Sequence, residues 1–228
     1  MKILGIYFTY NSRLKHELNF DATLRSLKKT LNSWQWRNLT VFGKIQIIKT
    51  FAMPKLLFRA SVLSFDKEFL KKVNTFLFNF VWKGKDKIKR LALISDYGDG
   101  GLKMPHLEST IKTQRIMCIK KYTENYYSPW KLILSHHLKN YGDKFLLHCN
   151  YDVADLPKSL PKFYRECFGT WATVTAMQPS SRDDIMDQIL WNNKHIRIDD
   201  KPRFCKKSLM TGITRIKDIL LPNGKLKP

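Results

Sequence analysis

Leu31–Leu57 reads LNSWQWRNLTVFGKIQIIKTFAMPKLL, and it sits inside a run, Ala22–Phe65, that contains no Asp or Glu. Eight bases punctuate that run: Arg25, Lys28, Lys29, Arg37, Lys44, Lys49, Lys55 and Arg59. Trp34, Trp36, Phe42, Ile45, Ile47, Ile48, Phe51 and Leu57 lie between them. Apolar residues at helical spacing beside an acid-free basic face describe a helix pair able to lie on a nucleic-acid backbone. The same pattern also fits a core helix pair with a solvated basic back.

Outward from this stretch, periodicity predicts mostly helix. Leu24, Leu27, Leu31 and Trp34 recur at i, i+3, i+7 and i+10, a single helical stripe. Thr40 is placed to cap a second helix with Ile45, Ile48 and Ala52 inward. Pro54 ends that helix or opens the next. Asp66 caps a Phe-rich helix, DKEFLKKVNTFLFNFVW, which Gly84 is placed to stop. Ile3–Tyr10 reads as a strand interrupted by Gly5, and Arg90–Ser95 as a short strand. Tyr97–Gly101 is a turn. Helices are expected from Pro105 to about Tyr122, around Trp130–Leu138, around Phe163–Trp171 and over Asp183–Trp191, with a turn at Asn223-Gly224. Trp34, Trp36 and Phe42 are read as core rather than as base-stacking platforms.

The chain of 228 residues has 41 Lys/Arg against 19 Asp/Glu, a net of +22. Residues 1–90 hold 19 bases and 5 acids, a net of +14. Such an excess implies a polyanionic partner, most simply DNA or RNA, bound without regard to sequence. An apolar content of 43% argues against disorder. No apolar run approaches the ~20 residues of a membrane span. The four cysteines, Cys118, Cys149, Cys167 and Cys205, are scattered without metal-ligand spacing and are expected to be buried reduced thiols of an intracellular protein.

Six segments occur in order: LGIYF (Leu4–Phe8), LNSWQWRNLTVFGKIQIIKT (Leu31–Thr50), FLFNFVWKG (Phe76–Gly84), GDGGLKMPHL (Gly98–Leu107), LWNNKHI (Leu190–Ile196) and GITRIKDIL (Gly212–Leu220). The set resembles the region downstream of the catalytic palm in reverse transcriptases of non-LTR, LINE-type retrotransposons. By that resemblance, residues 1–10 correspond to the primer-gripping strand at the end of the palm. Residues 11–89 correspond to a helical thumb, and residues 90–228 to an α-rich connector with a few short strands and a possible internal boundary near 140–160. The implied fold is mainly α. The implied partner is an RNA/DNA or DNA duplex held by its backbone, since a polymerase must accept any sequence. The implied setting is nuclear or cytoplasmic. The expected contacts are Lys28, Lys29, Arg37, Lys44, Lys49 and Lys55, joined by Lys83 and Lys85 of the basic segment KGKDKIKR (Lys83–Arg90).

Nucleotidyl transfer needs carboxylates that hold two divalent ions. In the resembled family these lie in the palm, upstream of the residues matched here. No catalytic residue, cofactor or metal ligand is expected in this chain; the resemblance implies that Mg2+ is held only in the absent palm and that upstream palm and fingers domains are the missing partners. The Asp pairs Asp183-Asp184 and Asp199-Asp200 are read as a helix first turn and as a pair far from the thumb-like region. Asp96 and Asp99 are read as turn residues, and His136-His137 and His148-Cys149 as ordinary side chains. The chain is therefore expected to be a fragment that binds a template–primer duplex and is inactive alone. The rival expectation is a domesticated or remnant reading frame acting as a non-catalytic protein-interaction or structural module.

Overall fold

The computed structural model describes residues 1–175, 179–221 and 225, so the expected Asn223-Gly224 turn lies outside the described residues. The protein is mainly α and divides into two compact units, Met1–Gln114 and Arg115–Pro228.

The first unit opens on a hairpin. Strands β1 (Lys2–Ile3) and β2 (Ile6–Tyr7) pair antiparallel, Lys2 opposite Tyr7 and Ile3 opposite Ile6. The single strand expected over Ile3–Tyr10 instead reverses at Leu4 and Gly5, with φ of 46° and 79°. A two-residue turn with positive φ matches the twist of the flanking strands, and glycine adopts it without penalty. Helix α1 (Ser12–His16), capped by Asn11, runs through a π turn (Glu17–Asp21) into α2 (Ala22–Gln35). Buried Asn19 ties this run to the hairpin. Its Nδ2 donates to the carbonyls of Tyr7 (2.9 Å) and Lys15 (3.0 Å), and its Oδ1 accepts from Tyr7 N (2.9 Å).

Leu27 and Leu31 of α2 are fully buried, as the stripe predicted. The Thr40 hydroxyl accepts from Gly43 N at 3.1 Å and starts α3 (Val41–Ile47). A π turn (Ile48–Ala52) then leads without a break into α4 (Met53–Ala60). Pro54 therefore opens a helical segment. It has no N–H and its ring crowds the carbonyl four residues back, so a widened turn before it relieves both conflicts. Ile45, Ile48, Ala52, Met53, Leu56 and Ala60 point inward along the run. Each buried Leu or Ile contributes about 1.5–3 kcal/mol.

Asp66 Oδ1 accepts from Phe69 N at 2.7 Å and caps α5 (Lys67–Trp82), which buries Phe69, Val73, Leu77, Phe78, Phe80 and Val81. The helix ends on Lys83 in the left-handed region, φ 55°, one residue before the glycine expected to stop it. A side chain in that region costs about 1–2 kcal/mol that glycine avoids. Lys83→Gly is therefore expected to raise the stability of the first unit by about 1 kcal/mol, read as a higher urea midpoint at constant slope.

Arg90–Ile94 forms a helix, α6, where a strand was expected. Only Leu93 is buried there, and its carbonyl accepts from Leu102 N (3.2 Å) and Met104 N (2.9 Å) of the following loop. One inward residue suits a single helical turn better than an alternating strand. A 3-10 turn (Tyr97–Asp99) and Gly100 at φ 72° bring that loop back, and Met104 and Leu107 enter the core. The division between the two units falls within α7 (Leu107–Thr123).

In the second unit, α8 (Pro129–Leu138) is followed by 3-10 turns at Lys139–Tyr141, Asp143–His148 and Val153–Asp155, then by α9 (Lys162–Thr175). The core holds Ile119, Tyr122, Leu134, Leu138, Leu146, Leu147, Cys167 and Phe168. Helix α10 is short (Arg182–Met186), strands β3 (Arg197–Ile198) and β4 (Lys201–Pro202) form a hairpin, and α11 spans Lys206–Met210. The helix expected to reach Trp191 stops early because backbone pairing takes over. Leu190 N donates to Thr214 O (2.9 Å) and Ile216 N to Gln188 O (3.0 Å), so the segments LWNNKHI and GITRIKDIL are joined along their backbones.

Asn193, fully buried, locks this joint. Its Nδ2 reaches Gln188 Oε1 (3.1 Å) and Ile189 O (2.9 Å), and its Oδ1 accepts from His195 N (3.0 Å). Asn193→Ala leaves those groups unmatched and is expected to destabilise the second unit by about 2–3 kcal/mol in urea denaturation. A loss below about 0.5 kcal/mol would contradict that role.

Candidate nucleic-acid interface

The bases of the acid-free run separate into small groups on the first unit. Arg37 stacks on Trp34, its guanidinium carbon 4.3 Å from the ring centroid, and Trp34 stacks in turn on Phe51 at 5.4 Å. A guanidinium held flat on an indole keeps its edge N–H groups free to meet phosphate oxygens. Lys55 belongs to a second group. Its Nζ donates to Thr30 Oγ1 (2.6 Å) and Ser26 Oγ (3.4 Å), fixing the ammonium against the exposed side of α2. Lys29 is exposed on α2 and Lys49 is half-buried in the π turn.

Lys28 lies apart from Lys55. It stands 6.0 Å from the Phe76 ring and lines a groove of about 470 Å3 with Lys71, Lys72 and Thr75. Lys71 and Lys72 are positions that sequence reasoning missed. Their signal was present, since both fall on the polar side of the Phe-rich helix. Lys72 is paired with Glu68 at 2.7 Å, and Lys71 and Lys28 are the other cations lining that groove.

Lys44 is only 8% exposed. Its Nζ donates to Val81 O at 2.7 Å, so the ammonium caps the C-terminal end of α5, where carbonyls lack helical partners. Burial holds its pKa below the ordinary lysine value, and Lys83 and Lys87 nearby push in the same direction. Lys83 and Lys85 are exposed in the loop that follows. Lys44 is thus buried, whereas Lys83, Lys85, Lys87, Lys89 and Arg90 of the basic segment are exposed.

The aromatic residues divide. Trp34 packs on the core, as expected. Trp36 and Phe42, also expected in the core, are 92% and 47% exposed. Trp36 is the first residue past α2, where the helical stripe no longer governs direction, and Phe42 lies 6.4 Å from Tyr97 at the surface.

The carboxylates have local duties. Asp199 and Asp200 occupy the β3–β4 turn at φ 53° and 57°, and Asp199 pairs with Arg203 at 2.9 Å. Asp184 completes a capping box with Ser181 in the first turn of α10. Asp96 pairs with Lys103 at 2.9 Å and anchors the Gly98–Gly101 turn. Among the described residues, no group of three or more His, Cys, Asp or Glu is placed to hold a metal ion. Cys149 and Cys167 are buried, and burial pushes the Cys149 thiol up to about 12. Cys118 and Cys205 are half-buried, so full burial of all four thiols is not what the fold provides. Among the described residues, no helix is long and apolar enough to cross a membrane.

No family model matches this chain. It is similar to the "Transposon TX1 uncharacterized 149 kDa protein" of Xenopus laevis, at 23% identity over 237 residues. The alignment covers 96% of this chain and 18% of that protein, so the chain spans less than a fifth of the relative's length. The similarity supports derivation from a LINE-type transposon.

Proposed function

We propose that this chain is the thumb and connector region of a LINE-type reverse transcriptase and that it holds the RNA/DNA template–primer duplex by its backbone. One observation carries the reading: within the acid-free run of the first unit, the Arg37 guanidinium is stacked on Trp34 and the Lys55 ammonium is held by Thr30, with Lys29 and Lys49 belonging to the same run. Fixed cations facing regularly spaced phosphates lose little freedom on binding. Lys28, Lys83 and Lys85 extend the contact, and Lys44 supports it by holding the end of α5. The similarity along nearly the whole chain to a transposon protein supports the same assignment. Polymerisation would draw its metal-binding carboxylates from a palm outside these residues.

The test is binding of an RNA/DNA hybrid across a potassium chloride series. The logarithm of affinity is expected to fall with the logarithm of salt by about 0.9 per phosphate neutralised, the value for B-form DNA. A flat salt response, or no binding at low salt, overturns the reading. Template-dependent primer extension by this chain alone would overturn its non-catalytic part.

A further inference from the structure

The second unit contains a cavity of about 770 Å3 that the duplex-holding surface does not use. Its volume falls within the roughly 300–1,000 Å3 of sites that hold small molecules. One wall is aromatic. The Phe204 ring lies directly against Gly142, where a Cβ would come within 2.7 Å of Cε2 and 2.8 Å of Cζ. Gly142 is also in the left-handed region, φ 87°, so both the backbone turn and the ring's seat require glycine there. Opposite in chemistry, Lys139 and Lys206 are exposed at the same cavity, with His136 beside them. Ser135 and Asn140 supply hydrogen-bonding groups. The single carboxylate of the lining, Asp143, already accepts from the buried Tyr122 hydroxyl, which also lies 2.9 Å from Ser135 Oγ. The cavity therefore combines an apolar ring face, amide and hydroxyl groups, and a net positive rim.

We propose that this cavity seats one unpaired nucleotide, with its base on the Phe204 ring and its phosphate between Lys139 and Lys206. A base has an apolar face and polar edges, which the ring and Asn140 can meet at once. A phosphate without a base would leave the ring face unmatched, and an apolar ligand would leave two lysines unmatched. The nucleotide has two possible sources, a free nucleoside monophosphate or a nucleotide splayed from a single strand. The strand source rests on the nucleic-acid reading above; the cavity's chemistry does not.

The full chain is titrated with AMP, with inorganic phosphate, with a fluorescein-labelled oligothymidylate and with an RNA/DNA duplex. AMP or the oligothymidylate is expected to bind more tightly than phosphate. Phe204→Ala is expected to weaken that binding roughly tenfold, the order of one lost base stack. Phe204→Leu, which fills the seat on Gly142 without an aromatic face, is expected to lose the binding while keeping the urea midpoint of the parent, which separates lost stacking from misfolding. Lys139→Glu with Lys206→Glu abolishes that binding, while duplex binding through the first unit stays within twofold of the parent. Binding of AMP identifies the free-nucleotide source, and binding of the oligothymidylate alone identifies the strand source. Phosphate binding as tight as AMP, or unchanged binding in Phe204→Ala and the double lysine variant, overturns the proposal. Loss of duplex binding in the parent with AMP binding intact would sink the duplex reading and leave this site standing.

Discussion

Replacing Lys28, Lys29, Lys49 and Lys55 together by glutamate is expected to weaken duplex binding roughly a thousandfold near 0.1 M salt and to flatten its salt dependence by about three to four units of log–log slope. Each phosphate contact contributes about 0.9 to that slope, so four lost contacts account for the change before any added repulsion. None of the four ammonium groups is buried, and Lys55 gives up only two hydroxyl partners, Thr30 and Ser26. The circular dichroism spectrum and urea midpoint should therefore stay near those of the parent. Lys44 is left out of the set because its ammonium caps α5, and a glutamate there would set a carboxylate against the Val81 carbonyl. A quadruple variant that binds like the parent would remove the acid-free run from the binding account. That result would favour a protein-interaction role, for which the exposed Trp36 is the first residue to test.

The second large effect concerns stability. Gly101→Ala is expected to cost about 3 kcal/mol or more, measured as a fall in the urea midpoint of the first unit. A Cβ at this position would lie 2.0 Å from Ser95 O, 2.4 Å from its carbonyl carbon and 2.8 Å from its Cα. All three are backbone atoms, so no side-chain rotation relieves the overlap. The loop would have to move, and the bonds from Gly101 N to Asp96 O (2.8 Å) and from Lys103 N to Ser95 O (3.0 Å) would move with it. Met104 and Leu107, both buried, follow directly. Gly98→Ala is the control: a Cβ there meets nothing within 4 Å, and a change within about 0.5 kcal/mol is expected. Equal effects at the two glycines would show that turn flexibility, and not the close approach to Ser95, sets the cost.

Features governed by near neighbours were legible in the chain. The Thr40 and Asp66 caps, the Leu27 and Leu31 stripe and the Phe-rich helix all rest on contacts within one or two turns. Burial that depends on distant partners was not. Lys44 reads as one more surface base until α5 brings Val81, 37 residues away, to its ammonium. Trp36 reads as core by its residue type, yet α2 ends at Gln35 and leaves it 92% exposed. The strand expected at Arg90–Ser95 is a helix because its one inward residue, Leu93, is claimed by the Leu102–Met104 loop. Similarly, the ordered segments LWNNKHI and GITRIKDIL stand out by resemblance, but only the fold shows them bonded to each other. The charge excess indicated a binding surface; its division into an Arg37–Trp34 stack, a Lys55–Thr30 anchor and a Lys28–Phe76 groove needed three dimensions.

The π turn at Ile48–Ala52 makes one stretch of α3–α4 tolerant of a change in chain length. A π turn accommodates one more residue than an α turn while keeping the flanking helices in phase. Removing a residue elsewhere in Val41–Ala60 would rotate one side of the helix by about 100° against the other and expose half of its inward face. Removing one from the π turn would restore an ordinary α turn and leave Ile45 and Leu56 pointing inward together. Pro54 guards against that event, since its ring would then press on the carbonyl four residues before it. A shortened copy of this chain is accordingly expected to lose Pro54 in the same step.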